Sequence, residues 1–186
     1  MIGHVVTASL VIEAAGTDPA DRMGMLFDTH HQRLYRLARR LSASADDARD
    51  LVQETFLRVA RTPHAVPIGA GSEEAWLVRV LVNLKRDEWR RTAARKRLDP
   101  EGEAYAARPQ PLNHEAALIA HTTVWRALER LPPRRRAVLV LYELEGATIP
   151  AIARLLGVTA VTVRWHLSLG RRELAAIIRT QEGQAS

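Results

Sequence analysis

Three features of the sequence specify an all-α chain built as two small helical domains joined by a flexible linker. Apolar residues recur at three-, four- and seven-residue steps, and no run alternates with the period of a strand. Capping residues and glycine or proline stops bracket those runs. A stretch from Leu98 to Leu112, with Pro100, Gly102, Pro109 and Pro111 and no apolar period, divides the 186 residues near the middle. The expected plan is an N-terminal extension (1–20), a first domain (21–97), a linker (98–112) and a second domain (113–180) that ends in a helix-turn-helix.

The first helix is expected from about Asp21 to Leu41, with Phe27, Leu34, Leu37, Ala38 and Leu41 forming one apolar stripe. Ser44 followed by Asp47 reads as a capping box for the second helix, which carries Leu51, Val52, Phe56 and Val59 inward and stops near Arg61. Thr62 to Gly71 reads as a loop, and Ser72 as the cap of a third helix. That helix is apolar through Leu84 and then turns basic. Beyond the linker, Asn113 can cap a helix ending at Pro132-Pro133. Pro133 suits the first turn of the next, which carries Val138, Leu139, Leu141 and Tyr142 and stops at Gly146.

Composition narrows the function. The chain has no cysteine, which removes disulfides, thiol catalysis and cysteine-based zinc sites. No apolar run reaches 18 residues, so no membrane-spanning helix and no integral membrane contact is expected. Met1 to Gly16 lacks a basic residue before its apolar stretch, so it reads as an extension rather than a secretory signal, and a cytoplasmic protein is expected. The net charge of +6 comes from 25 Arg and only Lys85 and Lys96. Codon bias accounts for much of that ratio, but distribution is more informative. Eight basic residues lie between Trp76 and Arg97, and ten Arg between Arg126 and Arg179, forming two basic modules.

The sharpest local pattern lies at the C-terminal end. Thr148 caps a short helix to Leu156, Gly157 supplies a left-handed turn, Val158 plugs the angle, and Thr159 caps a helix to about Ile178. Its outer face carries Thr162, Arg164, Trp165, Ser168, Arg171 and Arg172, a set suited to a major groove. Arg134 and Arg135, within the run of three Arg after Pro132-Pro133, would clamp phosphate at a helix N-terminus. Taken alone, that run reads better as a solvated charge cluster.

These strings resemble one family. Leu131-Pro-Pro-Arg-Arg-Arg-Ala-Val-Leu-Val-Leu, Ile152-Ala-Arg-Leu-Leu-Gly-Val-Thr and Thr162-Val-Arg are similar to the C-terminal domain of extracytoplasmic-function (ECF) sigma factors. Leu34-Tyr-Arg-Leu-Ala-Arg-Arg-Leu, Asp46-Asp-Ala-Arg-Asp-Leu-Val-Gln-Glu-Thr-Phe-Leu-Arg-Val and Ala75-Trp-Leu with Asn83 and Asp87 resemble its N-terminal helices. The resemblance covers roughly residues 25–97 and 113–178, in family order. It implies that 21–97 is sigma domain 2-like and 113–180 sigma domain 4-like.

By this resemblance Asp46, Asp50, Gln53 and Glu54 would dock on the clamp coiled coil of core RNA polymerase. The three carboxylates share one helix face at four-residue steps; without the resemblance, routine pairing with Arg49 and Arg58 is the preferred reading. On the minus-ten side of promoter DNA, Arg86, Arg90 and Arg91 would hold phosphates, and Asn83 and Asp87 would meet base edges. Trp89 would either stack on an unpaired base or rim the core. The loop 62–71 would capture a flipped base, although it contains no aromatic residue. Thr159, Thr162, Arg164, Trp165, Ser168, Arg171 and Arg172, with Arg134 and Arg135, would contact the minus-thirty-five element. Here Trp165-His166-Leu167-Ser168-Leu169-Gly170 replaces the basic residues many relatives carry. The resemblance further implies an anti-sigma factor as partner, no cofactor and no catalysis.

Three other readings compete. A stand-alone helix-turn-helix regulator explains 131–178 and leaves the acidic face unused. A metal enzyme has only His30-His31 near Asp28 to draw on. A helical adaptor would bind no specific nucleic acid.

Overall fold

The computed structural model describes residues 18–98 and 124–184, all of whose regular structure is helical. Most of the expected extension, most of the linker and the Asn113 cap lie outside the described residues, and residues 18–20 of that extension open the first helix.

Helix α1 (Pro19–Leu41) starts on Asp18, whose carboxylate accepts the Ala20 N–H at 3.1 Å, with Pro19 pre-set in the first turn. Helix α2 (Ala45–Arg61) opens with the expected reciprocal box: the Ser44 hydroxyl accepts from Asp47 N at 3.0 Å, and the Asp47 carboxylate accepts from Ser44 N at 3.3 Å. A 3-10 turn (Pro63–Ala65) leads to α3 (Ala70–Leu98). This helix begins ahead of its expected cap. Gly69, at φ 108°, turns the chain so that its own carbonyl accepts the Ser72 and Glu73 N–H groups, which places Ser72 inside the first turn.

Residues 124–129 form α4. Helix α5 (Pro133–Leu139) widens into a π-turn over Val140–Leu144. The Glu145 N–H donates to the Val140 carbonyl, and the Ala147 N–H to Leu141 across Gly146 at φ 64°. The sequence signalled the Gly146 stop but not the widened turn. Helix α6 (Ile149–Leu156) is capped by Thr148 and closed by Gly157 at φ 63°, and α7 (Ala160–Gln184) follows Thr159, as the capping pattern requires.

Leu34, Leu37, Leu41, Leu51, Val52, Leu77 and Leu81 are buried among α1, α2 and α3, and Val138, Leu141, Ile152, Val163 and Leu167 among α5, α6 and α7. Each such side chain contributes roughly 1.5–3 kcal/mol of transfer free energy. Phe27, expected in the core stripe, is instead 42% exposed and lies on the edge of the Phe56 ring. The two units share one apolar cluster because α3 is buried on adjacent positions, Leu77 with Val78 and Leu81 with Val82. It packs on α1 and α2 and also on α5 and α6.

Polar contacts seal this junction. Arg136 Nε donates to the Arg40 carbonyl at 2.8 Å, and Glu145 takes Arg40 at 2.8 Å and Arg33 at 3.5 Å. Arg79 reaches the Arg154 carbonyl at 3.3 Å beside Gly157. The widened turn ending α5 delivers Glu145 to these arginines.

Candidate nucleic-acid interface

The second helix sets out Asp46, Asp50 and Gln53 as exposed side chains, with Glu54 half-buried. Asp46 pairs with Arg49 as expected, whereas Glu54 meets Arg61 at 3.4 Å rather than the expected Arg58. Asp50 carries no ion pair among the described residues. Next to this face runs an apolar groove lined by Phe27, His31, Tyr35, Gln53, Phe56 and Leu57. Phe27 lies 4.5 Å from His31 and 5.0 Å from Phe56, ring centre to ring centre. The sequence reading missed this groove by assigning Phe27 to the core; the four-residue spacing of Phe27, His31 and Tyr35 was the available signal.

The basic half of α3 exposes Asp87, Trp89, Arg90 and Arg91. Trp89 is 40% exposed. Arg91 Nε donates to the Asp87 carbonyl at 3.3 Å, and Arg86 meets the Asp87 carboxylate at 3.4 Å. Asn83 faces the second unit, where its Oδ1 accepts from Arg134 at 3.5 Å. Burial first, and then the nearby Arg86 charge, lower the Arg134 pKa.

The three arginines of α5 divide into separate tasks instead of forming one clamp. Arg134 reaches Asn83, Arg135 donates to both Glu173 oxygens at 2.6 and 2.8 Å, and buried Arg136 ties into α1. Burial pulls the Arg136 pKa down to about 10, with Glu129 opposing. Successive helix positions point about 100° apart, which is why a contiguous run scatters.

In the helix-turn-helix, the Thr159 hydroxyl accepts the Thr162 N–H at 3.1 Å and shares a 2.9 Å hydrogen bond with the Thr162 hydroxyl. The cap therefore occupies both threonines. Arg164, Trp165, Ser168, Arg171 and Arg172 are exposed on α7. Arg171 is held by Glu143 and lies 5.4 Å from the Tyr142 ring centre; the Glu143 hydrogen bond and charge raise its pKa. His166 is buried behind this face, and burial, followed by Arg134 and Arg135, lowers its pKa.

The adjacent histidines of α1 diverge: His30 is buried 3.7 Å from Glu73, while His31 joins the aromatic row. Among the described residues no group of three acidic, histidine or cysteine side chains could hold a metal, and no helix is long and apolar enough to cross a membrane.

Comparison with known proteins accounts for both units. Residues 26–95 match the model of Sigma-70 region 2, and residues 121–174 that of Sigma-70 region 4. The chain is 37% identical over 175 residues to the ECF RNA polymerase sigma factor SigE of Mycolicibacterium smegmatis, covering 90% of this chain and 66% of that protein. It is 35% identical over 159 residues to SigM of Mycobacterium tuberculosis, covering 82% and 75%. In fold it is similar to the Bartonella quintana sigma factor RpoE solved with the anti-sigma factor NepR (TM-score 0.58, 22% identity, 86% and 97% covered). CnrH in complex with the cytosolic domain of CnrY is likewise similar (TM-score 0.54, 24% identity, 90% and 92% covered). With two-domain order, capped helix-turn-helix and sequence identity all in agreement, the chain belongs to the ECF family of RNA polymerase sigma factors.

Proposed function

We propose that the chain binds core RNA polymerase, directs it to specific promoters and helps open the DNA. The observation that carries this reading is the presence, in one chain, of an acidic exposed helix face on α2 and two separate basic helices, α3 and α7. A stand-alone regulator uses only the last of these.

On this reading Asp46, Asp50, Gln53 and Glu54 dock on polymerase, and the adjoining groove around Phe27 and Leu57 extends that contact with apolar area. Arg86, Arg90 and Arg91 grip backbone phosphates near the minus-ten element, Trp89 stacks on an unpaired base, Asp87 meets a base edge, and Asn83 joins it once the units part and Arg134 releases it. The loop 62–71 holds a flipped base, so binding energy offsets unpairing and no cofactor or catalytic group is required. The α7 face, with Arg134 and Arg135 behind it, takes the minus-thirty-five element. An anti-sigma factor is the expected regulator, since two structures of similar fold, RpoE with NepR and CnrH with CnrY, are complexes. The domain limits 21–97 and 113–180 belong to the same proposal.

The test is transcription from a genomic promoter library by core polymerase with and without the protein. The expected result is a set of discrete new start sites, absent with the Asp50→Arg, Glu54→Arg double variant. Sequence-selective DNA binding by the protein alone, with no new start sites, would replace this reading with the regulator.

A further inference from the structure

The exposed stripe of α7 is unusual for a surface helix. Val161 is 71% exposed and Trp165 54%, one helical turn apart, and Ser168 and Arg172 continue the same side. Two large apolar side chains therefore stand next to each other in the first half of the second helix of a helix-turn-helix, the part that meets base edges. Of the four bases, only thymine presents an apolar group in the major groove, its 5-methyl.

The indole is also held in place. The Arg135 guanidinium lies 5.5 Å from the centre of the Trp165 ring, and Glu173 fixes that guanidinium with two hydrogen bonds. His166 packs edge-on at 4.8 Å. An arginine committed to Glu173 and to the ring is a support more than a free phosphate ligand.

We propose that Val161 and Trp165 read thymine methyl groups in the upstream promoter element, and that Arg135, locked by Glu173, is a positioning residue for Trp165. This rests on the reading of α7 as the upstream DNA contact. Four residues of helix rise about 6 Å, so the pair can reach positions up to about two base pairs apart.

The test uses holoenzyme assembled from core polymerase and the full chain, on promoters it selects from a genomic library. Each thymine of the upstream element is replaced in turn by deoxyuridine, which deletes only the methyl. For wild type, at least one replacement should weaken promoter binding about fourfold, the value of one buried methyl-sized group. Trp165→Ala should bind thymine and uracil promoters equally at the position Trp165 reads, whatever its overall affinity. Arg135→Gln removes the charge and the ion pair with Glu173; it should reduce the thymine-to-uracil ratio and leave the salt slope of binding unchanged. A phosphate ligand would instead lower the salt slope by about one and leave the ratio unchanged, and that result removes the positioning role.

Promoter selection with no deoxyuridine effect, an upstream element without thymine, or full discrimination by Trp165→Ala each overturn the methyl-reading proposal and leave the sigma reading intact. Absence of any promoter selection by wild-type holoenzyme overturns both.

Discussion

Glu145 gives the sharpest test of how the two units are held together. Its carboxylate is 15% exposed and takes Arg40 at 2.8 Å and Arg33 at 3.5 Å, both on α1. The contact therefore exists only while the units are packed. Breaking a fully buried pair costs about 3–5 kcal/mol, whereas an exposed pair contributes about 0.2–1 kcal/mol. Arg40 and Arg33 are 32% and 39% exposed, so Glu145→Gln falls between these limits, at about 2 kcal/mol with solvent screening allowed for. That lowers the closed-to-open ratio roughly 30-fold. The natural lack of cysteine allows dye labelling at Ala43→Cys and Ala175→Cys, one exposed position on each unit. Energy transfer followed through a urea titration should show the labelled units separating at lower urea in Glu145→Gln. Added salt should move the wild type toward the variant. Identical separation curves for the two proteins at low salt would refute the role assigned to this contact.

Other expectations are smaller or more local. Ser44→Ala removes the cap of α2 and should lower stability by about 1 kcal/mol in chemical denaturation, while Ser44→Gly should lower it less. Gly157→Ala places a side chain at φ 63° and within 2.6 Å of Arg79 Nε, so a loss of about 1–2 kcal/mol is expected. Combining it with Arg79→Ala should recover the part due to crowding and leave the backbone part. For His166, burial and two arginines lower the folded pKa below 6.5, so the unfolded chain binds the proton first. Its contribution to stability is complete above that unfolded value and is lost as pH falls toward the folded one. His166→Gln should flatten the decline in urea midpoint as pH falls through 6.5.

Much of the fold was legible because it is written locally. Ser44 and Asp47, Thr148, Gly157 and Thr159 specify helix ends through groups only a few residues apart, and all act in the structure as their spacing requires. The periodic Leu and Val residues of α1, α2 and α7 likewise specify their own inner faces. What was not legible depends on partners distant in the chain. Phe27 fits the apolar stripe of α1, yet its exposure is decided by where α2 stops covering it. Arg134, Arg135 and Arg136 read as one cluster; their three destinations, Asn83, Glu173 and the Arg40 carbonyl, lie on three other helices or helix ends. The π-turn after α5 has no residue signature, since Val140 to Leu144 suits an ordinary helix equally well. For the candidate site, residue types and order along the chain were readable, whereas the engagement of Asn83 by the second unit was not.

The packing of α3 against α5 and α6 has a consequence in lengths of DNA. The elements assigned to the two units are centred about 25 base pairs apart, which is roughly 85 Å of duplex at ~3.4 Å per pair. The longest helix among the described residues, α3 with 29 residues, measures only about 43 Å. With both units packed on this one helix, the described residues fall well short of the separation between the two elements on straight duplex. On the proposed reading, simultaneous contact begins only when polymerase holds the two units apart, which makes the enzyme the ruler that sets promoter spacing.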